Sequence, residues 1–263
     1  MLAVIKGAGD IASGIALRLH RANFKVVMTE IDAPTAIRRT VCFSEAVYNG
    51  KAVVEDVKAV LADNVSKVSD IIDNGDIAVI VDEKATCIRE LKPDFVIDAI
   101  LAKKNLNTDI DDADVVIGVG PGFTAGEDCH AVVETKRGHY LGRVYYTGRA
   151  IENTGIPGDI AGHTTDRIIR SPEYGVFNPI YEIGDEVKSG EVVACVDSTP
   201  IVCNVSGILR GILPKGTMVS ANMKSGDVDP RCDKEHCYTV SDKALAVGGG
   251  VLEACLHLHT HKH

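Results

Sequence analysis

The residues best suited to chemistry come first in the chain. Gly7-Ala8-Gly9-Asp10-Ile11-Ala12 follows an apolar run at 2–6 and leads into helically spaced Ile11, Ile15, Leu17 and Leu19. Strand, glycine turn and helix in that order match the phosphate-binding pattern G-x-G-x-x-G/A. Gly7 permits the tight turn, Gly9 lets backbone N–H groups approach a phosphate, and Ala12 is small enough for the helix to pack on the sheet. Asp10 opens the helix, whose N-terminus favours an anion. Glu30 ends the next apolar run, about 20 residues on, where a ribose-binding carboxylate belongs. The competing reading is a turn of the same shape that binds no dinucleotide, since a fold does not dictate a function.

Further candidates fall where other apolar runs end. Asp82 follows 77–81, Asp98 follows 95–97, and Gly120-Pro121-Gly122-Phe123 follows 115–119. Ligands of open α/β sheets bind outside the carboxyl ends of the strands, so these residues should share one edge with Gly7, Gly9 and Glu30. The Gly-Pro-Gly turn can present backbone donors to an anion. Asp98 reads either as a ligand acceptor or as a structural residue, with Lys103 and Lys104 close by in sequence; Asp82 reads better as a cap or a solvated turn residue.

Other clusters are weaker. Cys129 and His130 suggest a nucleophile and its base, but neighbours on a strand point to opposite faces, so a buried thiol is the favoured reading. Arg137 and His139 suit anion binding. Cys232, His236 and Cys237 have a C-x-x-x-x-C spacing that lacks the second pair of a zinc site, so no metal is expected. His257, His259, His261 and His263 read as a disordered tail.

The elements that must position these residues alternate. Runs at 2–6, 24–29, 77–81, 95–99 and 115–119 read as buried strands, and 11–22, 52–61 and 68–73 as helices. Continuous apolar strands between helices predict a Rossmann-like parallel sheet covered on both faces. Residues 131–166 read as ordered loop and edge structure, with a helix at 163–170. From 174 the chain shortens its runs and punctuates them with Gly184, Gly190, Gly207, Gly216 and Gly226, the pattern of a small all-β unit. The stretch from Gly184 to Gly190 is echoed from Gly216. That doubling predicts a barrel-sandwich of the lipoyl/biotinyl type. The tip at 197–200 holds no lysine, so a swinging-arm carrier is not expected. The tail reads as a helix over 241–258 in which Gly248, Gly249 and Gly250 force either a break or close packing. The expected domains are 1–173, 174–231 and 232–263.

Composition sets the class. Of 263 residues, 45% are hydrophobic and 25% charged, with a net charge of −9. These values fit a globular α/β protein and exclude collagen, coiled coil and disorder. With no tryptophan and this acidic balance, nucleic acid is not an expected partner. No apolar run approaches the ~18 residues of a membrane span, and the N-terminus lacks the parts of a signal peptide. Eight scattered cysteines read as reduced thiols, so a cytoplasmic location is expected. A homo-oligomer is compatible with all of this.

Many blocks, in order, resemble the YqeB family of accessory proteins of selenium-dependent molybdenum hydroxylase systems, which is similar in part to XdhC-type maturation factors of xanthine dehydrogenases. They include Lys6-Gly7-Ala8-Gly9-Asp10-Ile11-Ala12-Ser13-Gly14, Phe43-Ser44-Glu45-Ala46-Val47-Tyr48, Gly120-Pro121-Gly122-Phe123, Asn153-Thr154-Gly155 with Pro157-Gly158, and Gly226-Asp227-Val228-Asp229-Pro230-Arg231. Ser241-Asp242-Lys243 with Gly248-Gly249-Gly250 closes the series. Asn222 stands where that pattern has glycine, and asparagine tolerates positive φ. The resemblance implies a cytoplasmic maturation factor that binds a molybdopterin-type cofactor and hands it to a selenium-dependent molybdenum hydroxylase. The ligand-binding residues would be Gly7, Gly9, Asp10, Ala12, Glu30, Asp98, Gly120 and Gly122. Rival readings of the same turn are an NAD(P)-dependent oxidoreductase, or another nucleotide-binding protein, and a non-catalytic scaffold.

Overall fold

The computed structural model describes residues 1–153, 155 and 158–260. The chain forms two compact units that are discontinuous in sequence. One holds Met1–Pro34, Cys42–Thr154 and Val240–His263; the other holds Thr35–Val41 and Gly155–Thr239. The expected divisions lay at 173/174 and 231/232. Residues 35–41 go with the second unit because Ile37 O accepts from Ile212 N (2.8 Å) and Arg39 Nε donates to Ile212 O (2.9 Å).

The first unit runs β1 (Leu2–Lys6), α1 (Asp10–Arg21), β2 (Lys25–Glu30), α2 (Glu45–Asn49), β3 (Lys51–Val54), β4 (Val57–Ala62), α3 (Val65–Asp73), β5 (Ile77–Val81), α4 (Ile88–Leu91), β6 (Phe95–Asp98), β7 (Val115–Val119), β8 (Ala131–Val133) and β9 (Val144–Tyr145). It ends with the last helix of the chain, α5 (Asp242–Thr260). Nine strands form one sheet in the order β3-β4-β5-β2-β1-β6-β7-β8-β9. Strands β4 to β8 run parallel, while β3 and β9 lie antiparallel at the two edges.

The sheet is therefore mixed, which corrects the expected all-parallel Rossmann-like sheet. The reason lies at the two edges of the sheet. Residues 52–61 form the β3–β4 hairpin, not a helix. Lys51–Val54 alternates exposed and buried side chains, and Glu55 turns the chain at φ +54°. Period-two burial outweighed the helical reading there. Val144–Tyr145, within the stretch expected to hold loop and edge structure, adds the other antiparallel edge.

Side chains alternate between the two faces of the sheet, and the inner strands are buried on both. Val4, Val27, Ala78, Val96 and Val116 share an apolar cluster with Val68 of α3 and Ile88 of α4. Register aligns the strand ends: Lys6 pairs with Thr29 and with Asp98, and Asp98 with Gly118. Helices α1 and α5 pack on each other. The three glycines do not break α5. Gly248 faces Gly14 O and the Arg18 stem, and Gly250 faces Gly142 O, closer in each case than a Cβ would allow. Close packing, the second of the two expectations, keeps the helix whole. No helix among the described residues is long and apolar enough to cross a membrane.

The second unit holds β10 (Ile168–Arg170), β11 (Gly175–Pro179), β12 (Glu186–Val187), β13 (Val192–Val196), β14 (Thr199–Val202), β15 (Gly207–Ile212), β16 (Met218–Val219) and β17 (Lys224–Asp229). They make two antiparallel four-stranded sheets, β10-β17-β15-β12 and β14-β13-β11-β16. Phe177, Val193 and Val196 of one sheet meet Ile169, Leu209 and Val228 of the other in one core. This corrects the expected lipoyl/biotinyl-like barrel-sandwich at 174–231. One sheet begins at β10, within the stretch 163–170 that reads as a helix in the sequence. Asn222 takes φ +64°, the left-handed turn expected of it. Part of the block Asn153-Thr154-Gly155 with Pro157-Gly158 lies outside the described residues.

Candidate functional site

The carboxyl edge of the first unit gathers the sequence candidates, but it treats them differently. Gly7 turns the chain at φ +95°, and its N–H donates to Thr29 O (2.9 Å). A side chain there would meet the backbone of Ala99 and Ile100 at 3.2–3.3 Å. Ala8 is fully buried, and its N–H donates to Glu30 Oε2 (3.0 Å). Its carbonyl accepts from Ser13 Oγ (3.1 Å) and Ser44 N (2.9 Å). The turn is thus bolted to β2, α1 and the start of α2. Ser44 Oγ itself is buried with no hydrogen-bond partner among the described residues.

Gly9 differs from the other glycines of the edge. It caps α1 with extended backbone (φ −74°, ψ −170°), no side chain caps the helix, and nothing lies within 4 Å of where its Cβ would be. The first N–H groups of a helix have no partner within it. Asp10 supplies the first-turn acid and Ala12 is buried beneath the sheet-facing side.

Glu30 is held rather than free. Its Oε2 accepts from Ala8 N and its Oε1 from Ile31 N (2.9 Å). Burial raises its pKa, with those two backbone bonds pulling the other way, and no cation among the described residues forms an ion pair with it.

Three of the other candidates serve the scaffold. Asp98 is 2% exposed and accepts from Thr108 Oγ1 (2.6 Å) and Ile100 N (3.2 Å). Beside it lies Lys6, 1% exposed, which donates to Thr108 Oγ1 (2.6 Å) and to Asn107 Oδ1 (2.7 Å) and O (3.2 Å). Burial pushes the Lys6 pKa down, and Asp98 and Asp112 push back. Gly120 (φ +82°) would place a Cβ 2.8 Å from Thr135 Oγ1, and Gly122 (φ +115°) 2.6 Å from Lys104 Cα. The loop at 99–109 therefore covers Gly7 and Gly122 from above and is pinned by Lys6 from below. Asp82 accepts from Cys87 N (2.8 Å) and Thr86 Oγ1 (3.2 Å) within the turn that precedes α4.

Beyond Gly9 the edge is charged. Glu134 is fully buried and accepts from Thr135 N, Lys136 N and Ile151 N, each at 2.8 Å. Arg137 grips Asp242 with two bonds of 2.6 and 2.8 Å. Lys243, one residue on, is half-buried and makes no hydrogen bond or ion pair among the described residues. Burial lowers its pKa most, Arg137 adds to that, and Asp10, Glu134 and Asp242 oppose it. The sequence quotes Lys243 within a block but gives it no role, because only the α1–α5 packing brings it beside Asp10.

The remaining candidates resolve into structure. Burial pushes the Cys129 thiol up to about 11, while His130 Nδ1 accepts from Val116 N (3.0 Å), so the pair is no nucleophile and base. The His139 ring rests edge-on against Tyr140. No group of three or more His, Cys, Asp and Glu among the described residues is placed to hold a metal ion. Cys232 is exposed and Cys237 buried, while His236 faces Asp229 and Asp233. His257 and His259 belong to α5 and stack on Tyr146 and Phe95, whereas His261 and His263 lie outside the described residues. An open cleft of ≈ 690 Å³ lies at the opposite, amino edge, between Arg89, Lys92, Asp111 and His130.

No family model matches the chain. The uncharacterized protein YqeB of Escherichia coli (strain K12) is 52% identical over 257 residues, which is 98% of this chain and 48% of that protein. The chain thus spans about half the length of the curated relative it matches. Among solved structures it is similar to an aspartoacylase family protein from Mesorhizobium loti (10% identity, TM-score 0.27, 86% of this chain and 83% of that one). A second is the ectoine utilization protein EutE from Ruegeria pomeroyi (12% identity, TM-score 0.25, 81% and 61%). A third is a succinylglutamate desuccinylase/aspartoacylase from Rhodobacter sphaeroides (24% identity, TM-score 0.22, 24% and 21%). TM-scores this low carry no argument about this chain. The relative at 52% identity is named without an activity, which corrects what the sequence resemblance implies. Its name brings no molybdenum, selenium or XdhC-type factor. The expected maturation function and the selenium-dependent hydroxylase partner are corrected on that ground.

Proposed function

We propose that the first unit binds a small phosphate-bearing ligand of the nucleotide class at the turn 7–10. The observation that carries this reading is Gly9: open space faces it at the uncapped N-terminus of a 12-residue helix. A phosphate there accepts from the first helical N–H groups and gains from the helix dipole. Glu30 then offers its remaining lone pairs to a ligand hydroxyl, fixed in place by its bonds to Ala8 and Ile31. Asp98, Gly120 and Gly122 support the edge from behind and do not touch the ligand. A cytoplasmic setting belongs to this reading, and eight cysteines, none in a disulfide among the described residues, support it.

The test is calorimetric titration of AMP, ADP and NAD into the protein and into Gly9→Val. A Cβ at Gly9 has nothing within 4 Å beyond its chain neighbours and needs no unusual φ, so the fold should be kept while valine blocks the approach of a phosphate. Saturable binding that Gly9→Val abolishes supports the reading. Binding that survives the substitution, or no binding of any of the three, overturns it.

A further inference from the structure

We infer that the cleft at the amino edge of the first unit binds a small zwitterion of the α-amino acid class, its carboxylate at Arg89 and Lys92 and its amine at Asp111. This is independent of the nucleotide reading, because the two sites lie at opposite edges of the sheet.

Topology builds the cleft. Strands β6, β7 and β8 are neighbours and parallel, so the chain enters all three at one edge. The segments that lead in are α4 with Lys92 and Pro93, the stretch 110–114, and His130. Between them lies a cleft of ≈ 690 Å³, within the roughly 300–1,000 Å³ range of small-molecule sites. Backbone geometry fixes each segment. Lys92 takes φ +44° as it ends α4. The turn at 110–112 is closed by Asp109, whose Oδ1 accepts from Asp111 N (3.0 Å) and whose N–H donates to Asp112 Oδ2 (3.1 Å). His130 Nδ1 accepts from Val116 N (3.0 Å), so the ring can offer only Nε2 as a donor.

The charges on these segments select the ligand. Arg89 and Lys92 come from the segment before β6, and Asp111, Asp112 and Asp114 from the segment before β7. Asp112 spends an oxygen on its own turn. The side chains of Arg89, Lys92 and Asp111 make no hydrogen bond or ion pair among the described residues, although opposite charges line one cleft. A phosphate here would meet three carboxylates, and a simple cation would meet two positive groups. A ligand that carries both charges complements both segments. A guanidinium takes a carboxylate through two parallel bonds, and a primary ammonium donates to carboxylates. Ile88, Pro93 and Ile110 add an apolar part to the lining, which suits an apolar side chain.

The experiment follows the backbone amides of the full chain by NMR while L-leucine is added. Isocaproate, which lacks the amine, isoamylamine, which lacks the carboxylate, and inorganic phosphate are titrated separately. The inference expects L-leucine to shift the amides at 88–92 and 110–114 saturably and to bind at least tenfold more tightly than either single-charge analogue. Arg89→Gln and Asp111→Asn should each weaken leucine binding tenfold or more. Both side chains are exposed and make no bond within the protein, so the fold should be kept, and unchanged thermal unfolding would show it. No saturable shift with L-leucine overturns the inference. So does an analogue that binds as tightly, saturable phosphate binding at the same amides, or full affinity in both variants.

Discussion

Gly14 of α1 lies so close to Ala244 of α5 that a Cβ on the glycine would stand 2.6 Å from the Cβ of the alanine. That contact joins α1 to α5, the last helix of the chain, and brings Lys243 within reach of the charge of Asp10. It also separates glycines that are needed from one that is not.

Gly14→Ala and Gly248→Ala should both destabilise the protein. Each added methyl meets backbone or a packed side chain at under 3 Å, and overpacking of this kind costs about 1–3 kcal/mol. Gly249→Ala should do the reverse, because nothing lies within 4 Å of its Cβ position. Helix propensity then gives about 0.8–1 kcal/mol of stabilisation. Thermal unfolding of the three variants decides this, and equal effects at 248 and 249 would contradict the packing.

Thr108→Val should unsettle the edge without touching the turn. Thr108 Oγ1 links Lys6 to Asp98 in a nearly solvent-free site. Its removal leaves two buried ionisable groups short of a bond, at a cost of about 1–3 kcal/mol. Denaturant unfolding should show this loss, and a variant as stable as wild type would mean that the loop at 99–109 is not pinned by Lys6.

The second unit should lose stability in acid through Asp229. Burial opposes its ionisation, but the side-chain and backbone bonds of Arg231, with the charge of Arg210, bring its pKa down to about 2. A carboxylate depressed in the folded state stabilises above its unfolded pKa and loses that contribution as pH falls through the folded value. The window is therefore about pH 5 down to pH 2, and the contribution about 2 kcal/mol. Asp229→Asn should be less stable at pH 7 and should show a flatter acid limb over that range. A limb as steep as the wild type's would assign the acid sensitivity elsewhere.

Thiol labelling should be selective. Cys232 is exposed. Burial pushes Cys87 and Cys255 up to about 12 and Cys129 up to about 11. Iodoacetamide at pH 8 should modify Cys232 in the native protein and leave these three untouched until it unfolds. Early modification of Cys129 would reopen its reading as a nucleophile.

Much of the edge was legible because strand ends carry recognisable residues. The continuous apolar runs at 2–6, 77–81 and 115–119 are strands with those bounds. The hairpin at Lys51–Ala62 was not legible as such, since Val53, Val54, Val57, Val60 and Leu61 satisfy a helical period as readily as a strand's. The turn at Glu55, a non-glycine residue in the left-handed region, gave no signal. Ile168–Arg170 is a strand only because β17 lies beside it. Among the glycines, type and spacing marked Gly7, Gly9, Gly120 and Gly122 alike. Only the neighbours of each distinguish the open one from the packed ones. Lys243 was invisible for the same reason: its neighbourhood is made by contact between the two ends of the chain.

The most direct test of the central claim is where a nucleotide sits. Amide hydrogen exchange of the protein, with and without saturating ADP, reads this without any mutation. The account predicts that protection appears at residues 8–14 and at Glu30–Ile31, with the amino-edge cleft near Arg89 and Lys92 unchanged. Protection confined to that cleft, or absent from residues 8–14, would contradict it.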